Sequence, residues 1–323
     1  MREHFQSLLA LVAPSLALQG NFALVRRASN QSNQQQTNDA FSDKWDRYEA
    51  SAEKERLYEY QRQWYLKLYG FDSEAELARH LGTCRVVFDA GCGLGYKAAW
   101  FARLAPQALV IGMDYSGAAR QAAAAYADLP NLFFAQGDIA CTGFADGSVD
   151  YVSCDQVIMH TEDPEQAFAE LSRLASPGGG QVACYFYAKK ALPRELLDEH
   201  FRKHCKELSR DELWAMSEQL TELGRRLSEL NVSFDSPAIP ALGIKGGRID
   251  IQRFLYWNFL KCFWNAELGP ETSVITNFDW YSPSNARRFS EAEVRAIVSV
   301  NALAVASFHA EEACYSGRFV KHA

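Results

Sequence analysis

The sequence predicts a doubly wound α/β fold, and three features lead to that prediction. Short apolar runs alternate with helical patterns between residues 85 and 190, as expected of a parallel sheet covered on both faces. A glycine-rich loop follows the first run, and two further apolar runs close the chain. The predicted strands are Arg85–Ala90, Ala108–Asp114, Asn131–Gln136, Val149–Cys154 and Gln181–Ala188. The predicted helices between them are Ala98–Leu104, Ala118–Ala127 and Glu165–Leu174.

The end of the chain predicts one more helix and an antiparallel hairpin. Ser290 and Glu293 have the spacing of a capping box, which would open a short helix through Ser299. The apolar runs Ala302–His309 and Ala313–His322 follow it. Because too few residues separate these runs for a crossover helix, we expect them to pair antiparallel.

Two segments lie outside the alternation of strands and helices. The first contains an amide-rich stretch, residues 28–40, which indicates a linker or an ordered cover strip. Aromatic residues at helical spacing between Phe41 and Leu81 then predict two amphipathic helices, the second ending at Gly70. The second segment is charged and helical at first and aromatic-rich later. The predicted domains are an N-terminal helical extension or lid (1–80), an α/β core (81–190 and 277–323) and a cap insertion (191–276).

Composition excludes several classes of protein. Among 323 residues, 33 Lys plus Arg stand against 40 Asp plus Glu, and a net charge of −7 argues against a dedicated nucleic-acid binder. Eight cysteines without a CxxC pair predict reduced thiols, no zinc and a cytoplasmic location. The apolar stretch Leu8–Leu18 is interrupted by Pro14 and is too short to span a bilayer, so we expect no membrane association.

The strongest local motif is the segment from Val86 to Gly95, VVFDAGCGLG, in which a strand leads into a loop with glycine at alternate positions. Glycines allow backbone amides to approach a ligand closely. A dinucleotide fingerprint requires GxGxxG, whereas this loop is GxGxG and has an acid, Asp89, two residues before the first glycine. Asp89 would repel a pyrophosphate but could orient a cationic amine.

Two further strand ends extend the pattern. The second predicted strand ends at Asp114, where a carboxylate can accept hydrogen bonds from both hydroxyls of a ribose. The third leads into Gln136-Gly137-Asp138-Ile139, which offers a polar group for an adenine amine and an apolar face for its ring. Together the three strand ends predict a ligand that contains adenosine.

With the segment Ser148–Asp155, these motifs resemble the motif series of the class I S-adenosylmethionine (SAM) dependent methyltransferases. The resemblance implies a seven-stranded Rossmann-like sheet with an antiparallel terminal hairpin, and SAM as co-substrate or sole substrate. It implies that the methionine part is held by Asp89, Gly91, Gly93 and Gly95, the ribose by Asp114, and the adenine by Asp138 and Ile139. Asp155 and Gln156 would face the methionine part and the reacting centre, and Tyr115 joins the predicted SAM-binding set.

A narrower resemblance lies in the segments 155–164 and 277–283. They are similar to a bacterial small-molecule branch of the superfamily with an N-terminal helical cover and a large cap after the fifth strand. Some of its members resemble azetidine-2-carboxylate synthases, which use this scaffold without transferring a methyl group.

Four residues are predicted to lie at the reacting centre: Gln156, His160, Tyr187 and Tyr281. His160 could be a general base or a hydrogen-bonded structural histidine. Tyr187 lies near the carboxyl end of the fifth strand, so we expect it to line the pocket rather than only to pack. Tyr281 is the leading candidate for cation–π contact with the sulfonium, although most neighbouring rings should form ordinary cap core.

Three hypotheses of function follow. The first is methyl transfer to a small molecule, enclosed by the cap, in secondary metabolism. The second is a SAM cyclase that forms azetidine-2-carboxylate and releases methylthioadenosine. The third is a SAM-binding protein without turnover. The predicted partner is a small molecule. We expect no binding to nucleic acid, membrane or metal, and the sequence leaves open whether the chain forms a homo-oligomer.

Overall fold

Nine strands form the main sheet of the computed structural model, which describes residues 2–25 and 32–322. Their order across the sheet is β1-β2-β5-β4-β3-β6-β7-β11-β10. The strands are β1 (Leu18–Gln19), β2 (Phe22–Leu24), β3 (Val86–Ala90), β4 (Leu109–Asp114), β5 (Leu132–Gln136), β6 (Tyr151–Cys154), β7 (Gln181–Tyr187), β10 (Leu303–Ala310) and β11 (Cys314–Lys321). A separate antiparallel pair consists of β8 (Ser233–Ser236) and β9 (Gly247–Asp250).

The five predicted parallel strands are confirmed as β3 to β7, each within two residues of its predicted limits. They read as continuous apolar runs because both faces of the sheet are covered, and almost every residue in them is buried. The chain moves outward from β3 through β4 to β5 and then returns to place β6 on the other side of β3. Ligands of open α/β sheets bind at this kind of switch point, outside the carboxyl ends of the strands.

The closing part of the chain also agrees with its prediction. Ser290 and Glu293 make both hydrogen bonds of a capping box, and helix α12 (Glu291–Val300) follows. Strands β10 and β11 pair antiparallel, and β11 pairs antiparallel with β7. The terminal hairpin of the predicted fold is therefore confirmed.

The N-terminal part differs from its prediction. It is not purely helical, because β1 and β2 form a hairpin and β2 joins the main sheet parallel to β5, extending the predicted seven strands to nine. Of the two alternatives for residues 28–40, a linker is wrong from residue 32 onward, where an ordered helix begins; residues 28–31 lie outside the described residues. Three helices, rather than two, occupy the stretch that ends at Leu81.

The helices predicted at Ala98–Leu104, Ala118–Ala127 and Glu165–Leu174 are confirmed, each within two residues of its predicted limits. Gly70, in the left-handed region, follows the second of the three N-terminal helices as predicted. The helices are α1 (Arg2–Val12), α2 (Ser32–Glu49), α3 (Lys54–Tyr69), α4 (Glu74–Leu81), α5 (Tyr96–Leu104), α6 (Ala118–Ala125), α7 (Pro164–Leu174), α8 (Leu192–Cys205), α9 (Arg210–Glu229), α10 (Ile251–Asn258) and α11 (Pro270–Tyr281). Within the described residues, every helix is too short or too polar to cross a lipid bilayer.

The chain divides into two compact units. The α/β unit contains residues 1–38, 61–188 and 287–323, and therefore the whole main sheet. The helical unit contains residues 39–60 and 189–286. This division differs from the predicted domains in two places: much of the N-terminal segment belongs to the α/β unit, and α11, which carries Tyr281, belongs to the helical unit.

The glycine loop after β3 sets the first testable prediction. Gly95 has φ of +78°, and a Cβ there would lie 2.7 Å from Ala122 and 2.7 Å from the ring of Phe134. We expect Gly95→Ala to lower the free energy of unfolding by about 2 to 4 kcal/mol, because strain and overpacking add. Urea denaturation measures it. Gly117→Ala is the control, since no atom lies within 4 Å of its added Cβ; equal losses in both variants would contradict the argument.

Candidate functional site

The glycine loop between β3 and α5 forms one side of the candidate site. Gly91, Gly93 and Gly95 all have positive φ, and the amides of Gly91 and Cys92 both donate to the carbonyl of Met113 at the end of β4. A Cβ on Gly91 would lie 2.3 Å from Val157, in the loop that follows β6. The glycines therefore let the loops after β3 and β6 approach each other closely, at the switch point of the sheet.

Asp89 presents an unpaired carboxylate oxygen in this loop region. The residue is 2% exposed, and its Oδ2 has no hydrogen-bond partner among the described residues. Burial raises the pKa of Asp89 to about 6, while Lys97 and the amide of Ala98 favour its charged form. A buried carboxylate with an unused acceptor suits a cationic donor such as an amine.

Lys97 lies in the first turn of α5, and its ammonium forms a buried ion pair with the Oδ2 of Asp155, at the end of β6. Burial alone would lower the pKa of Lys97, but Asp155 and Asp89 outweigh it, so the pKa is raised. The ammonium is therefore charged at neutral pH. Asp89 and Asp155, both predicted to hold the methionine part of SAM, thus already share an internal cation.

Tyr69, the last residue of α3, completes this group. Its hydroxyl donates to the Oδ1 of Asp155 at 2.8 Å, and burial together with that carboxylate raises its pKa. Tyr65, one turn earlier, hydrogen-bonds the hydroxyls of Tyr151 and Ser153 on β6. The end of α3 is thus tied to β6 by a chain of buried hydroxyl groups.

The predicted ribose ligand, Asp114, lies at the end of β4 beside the glycine loop. Its Oδ2 accepts from the amide of Gly93 at 2.8 Å, and its Oδ1 accepts from the amide and hydroxyl of Ser116. Burial raises the pKa of Asp114, and these hydrogen bonds oppose the rise. Since a carboxylate has about four acceptor positions, Asp114 retains capacity for a sugar hydroxyl.

The predicted adenine residues follow β5, the next strand along this edge. The amide of Gly137 donates to the carbonyl of Asp114, which places the loop after β5 beside the end of β4. Asp138 accepts from the amide of Ala140, and Ile139 is buried. The side chain of Gln136 donates to the carbonyl of Tyr115, so Tyr115 belongs to the same group. The register of the parallel strands thus gathers the predicted SAM-binding residues at one edge of the sheet.

Gln156 is one of the few residues other than glycine with positive φ, at +64°. Its side-chain amide donates to the Oδ2 of Asp155 at 3.3 Å. Backbone strain of this kind persists where the surrounding structure imposes it, and it is common at functional sites. Gln156 is therefore held next to the Lys97–Asp155 pair; that it faces the methionine part of SAM stays a prediction.

His160 and Tyr187 contact each other edge to face, with ring centroids 5.4 Å apart. His160 is buried at the end of a short 3-10 turn, Ile158–His160, that follows Gln156. Tyr187 is the last residue of β7, as expected of a residue near the carboxyl edge. The α/β unit therefore brings together three of the four residues predicted for the reacting centre.

Tyr281, the fourth, lies in the helical unit. Its hydroxyl donates to Asp198 at 2.9 Å and accepts from the amide of Lys261 at 3.3 Å. Burial and the Asp198 carboxylate raise the pKa of Tyr281. These contacts give the tyrosine a structural role within α8 and α11, and its predicted contact with a sulfonium stays a prediction.

Sequence reasoning missed Lys97 and Tyr69. A signal for Lys97 was present: α5 is buried from Lys97 to Ala102, and the apolar sequence that follows the lysine leaves no polar face for it. A charged residue on such a helix needs a buried counter-charge. Tyr69 gave no comparable signal, because its partner is distant in sequence.

The residues fit SAM on one observation of this structure, the buried and unpaired oxygen of Asp89, which can accept from the amine of SAM. Among residues 2–25 and 32–322, no group of three or more His, Cys, Asp or Glu side chains is arranged to hold a metal. All eight cysteines are free, and only Cys141 is exposed.

Part of the α/β unit is similar in sequence to known proteins. Residues 88–183 match the family model described as a methyltransferase domain. The chain is 40% identical over 93 residues to trans-aconitate 2-methyltransferase of Deinococcus radiodurans, covering 29% of this chain and 34% of that protein. It is 35% identical over 97 residues to ubiquinone biosynthesis O-methyltransferase of Albidiferax ferrireducens, covering 29% and 38%. The chain spans about a third of the length of the curated relatives it matches.

Among solved structures, magnesium protoporphyrin IX methyltransferase of Synechocystis with bound SAM has a TM-score of 0.48 at 15% identity, over 91% of this chain and 99% of that one. The family match covers the strands and loops that carry Asp89, Asp114, Asp138 and Asp155. Residues 88–183, which lie within the α/β unit, are therefore similar to the methyltransferase domain family.

Proposed function

We propose that the chain is an enzyme that binds SAM at the carboxyl ends of β3 to β6 and transfers its methyl group to a small molecule. The observation that carries the proposal is the buried, unpaired oxygen of Asp89 beside the glycine turn. A cationic amine would satisfy this oxygen.

Each strand end would have its own part of the ligand. Asp89 and the glycine loop would hold the methionine part, Asp114 the ribose, and Asp138 with Ile139 the adenine. When bound, SAM supplies an electrophilic methyl group. The protein's own contribution is to align donor and acceptor and to exclude water. His160, which is buried against Tyr187, would accept a proton from the acceptor.

The nature of the acceptor is also part of the proposal. By their names, one of the two relatives methylates trans-aconitate and the other is an O-methyltransferase of ubiquinone biosynthesis. Both names point to small-molecule substrates. A small acceptor in secondary metabolism fits that class. The eight free cysteines support a cytoplasmic location, since oxidising compartments favour disulfides.

A second candidate, SAM cyclisation, is favoured by one observation. The two carboxylates that would receive the amine of SAM already share the ammonium of Lys97. A second ammonium beside it is disfavoured by like-charge repulsion, so a neutral amine binds more easily there. A neutral amine is what intramolecular attack on the γ-carbon requires. The carbon–sulfur bond would break, methylthioadenosine would leave, and one proton would be released.

The first experiment on function is an assay of nucleoside products. Purified protein is incubated with SAM alone and with a panel of small acceptors, and the nucleosides are separated by chromatography. We expect S-adenosylhomocysteine in the presence of an acceptor. Methylthioadenosine from SAM alone, above the rate of spontaneous breakdown, would identify the cyclase instead. Tight SAM binding without either product would identify a non-catalytic SAM-binding protein.

A second prediction concerns SAM affinity. Asp114→Asn removes the charge and one of two strong acceptors, so we expect the Kd for SAM to rise about 10- to 100-fold, from the loss of about 1.5 to 3 kcal/mol. Isothermal titration calorimetry measures it. Asp128→Asn is the matched control, because it removes the same charge from an exposed residue that follows α6. A similar loss in both variants would show that only net charge matters.

A third prediction concerns pH. The pKa of Asp89 is raised to about 6, so its carboxylate is ionised above pH 6 and protonated below it. If the ionised form binds the amine of SAM, the Kd should be constant above pH 7. It should rise as pH falls through 6, approaching tenfold per unit. Asp89→Asn should bind SAM weakly with no step near pH 6. A step of the same size in that variant would assign the effect to another group.

A further inference from the structure

The helical unit surrounds one buried tryptophan with cations. Trp280 is 3% exposed, and four positively charged side chains lie within 6 Å of its ring centroid. The distances are 4.5 Å for Lys261 Nζ, 5.2 Å for Arg194 Cζ, 5.4 Å for Arg202 Cζ and 5.8 Å for Lys190 Nζ. Arg194, Arg202 and Lys261 are only 1%, 7% and 5% exposed. Buried positive charge at this density requires compensation.

The nearby carboxylates are largely committed to other partners. Asp198, which is fully buried, accepts from Arg194 at 2.7 Å and from the side chains of Trp280 and Tyr281 at 2.9 Å each. Asp279 forms a salt bridge with Lys44 at 2.8 Å. Asp198 thus balances Arg194.

In the described part of the chain, Lys261 has no such carboxylate partner. Its ammonium has three donors, yet within the described ranges it forms no hydrogen bond or ion pair, and the rings of Trp280, Tyr256 and Phe263 lie 4.5, 6.0 and 6.0 Å from it. Burial lowers its pKa to about 7; Asp279 and Asp198 act to raise the pKa, while Arg194 and Arg202 act to lower it. The same ammonium on a solvated helix face would remain charged to about pH 10. Lys261 is therefore a buried donor in need of an acceptor.

We propose that Lys261, with the ring of Trp280, binds the carboxylate of a small organic molecule. A carboxylate supplies both the missing acceptor and the missing negative charge, and Arg202 lies on the same ring to reinforce it. The rings of Tyr256 and Phe263, each 6.0 Å from the ammonium, favour an apolar or aromatic body for that molecule.

The site should bind more tightly at low pH, and the sign follows from Lys261. Below pH 7 the ammonium is charged and attracts the anion, whereas at pH 9 it is neutral in the free protein. Binding then requires uptake of a proton, so affinity falls as pH rises. Asp198 and Asp279 also act on the ammonium to raise its pKa, and Arg194 and Arg202 act to lower it.

Thermal unfolding of the full chain tests the proposal without SAM or turnover. Benzoate is the probe, with benzamide as its neutral counterpart, inorganic phosphate as a second anion, and sodium chloride to match ionic strength. At pH 6.5 we expect about 20 mM benzoate to raise the Tm by roughly 3 °C and benzamide to have no effect. At pH 9 the benzoate effect should shrink to less than half.

The variants separate the site from general surface charge. Lys261→Met should abolish the effect of benzoate, and the variant should be at least as stable as the unaltered chain, because a buried charge is replaced by an apolar chain of similar size. Lys203→Met, at an exposed position of α8, should keep the effect. The proposal is overturned if benzamide stabilises as well as benzoate, if benzoate has no effect at pH 6.5, if phosphate alone acts, or if Lys261→Met retains the response. None of these outcomes depends on SAM, so the proposed methyl transfer can fail or succeed separately.

Discussion

The ion pair between Lys97 and Asp155 is the interaction around which the α/β unit is organised. It joins the first turn of α5 to the end of β6 across the switch point, and the side chains are only 10% and 3% exposed. A buried pair of this kind adds little net stability compared with apolar residues, but removing one partner costs about 3 to 5 kcal/mol. Tyr69 and Gln156 both hydrogen-bond the same carboxylate, so α3 and the loop after β6 are fixed to the same point. The pair therefore positions the site more than it stabilises the fold.

This arrangement sets the charge that any ligand meets. Three carboxylates, Asp89, Asp114 and Asp155, lie at the ends of neighbouring strands, and burial raises the pKa of the first two. Within the described part of the chain, the Lys97 ammonium offsets part of this negative charge. The excess of acceptors attracts a cation such as a sulfonium, while the nearby ammonium disfavours a second ammonium beside it. In the proposed function, the same geometry would hold SAM for methyl transfer and would also lower the cost of the neutral amine needed for cyclisation, so product analysis must separate the two reactions.

Most of the α/β fold could be predicted from the sequence because its strands are buried on both faces and its helices are bounded by local signals. The capping box at Ser290 and the glycine turn after β3 are examples in which a few adjacent residues determine the backbone. The errors arose where structure depends on distant partners. β1 and β2 are only two and three residues long, and their place in the sheet comes from pairing with β5. The amide-rich sequence of α2 has low helix propensity, so no local sequence pattern predicted the helix. For the same reason Asp89 and Asp114 were found from motif spacing, whereas Tyr69 was not.

Lys97 and Lys261 show how the same residue acquires opposite properties by its surroundings. Both are buried, and burial acts to lower the pKa of both. Lys97 faces Asp155 and Asp89, which reverse the effect, whereas Lys261 faces aromatic rings and two arginines beside carboxylates that are already paired. Lys97 is thus a charged residue whose buried ammonium is paired with a carboxylate. Lys261 forms no ion pair within the described residues, although Asp279 and Asp198 act to raise its pKa. Burying an ammonium without a paired carboxylate opposes folding, and the proposed ligand would supply that partner.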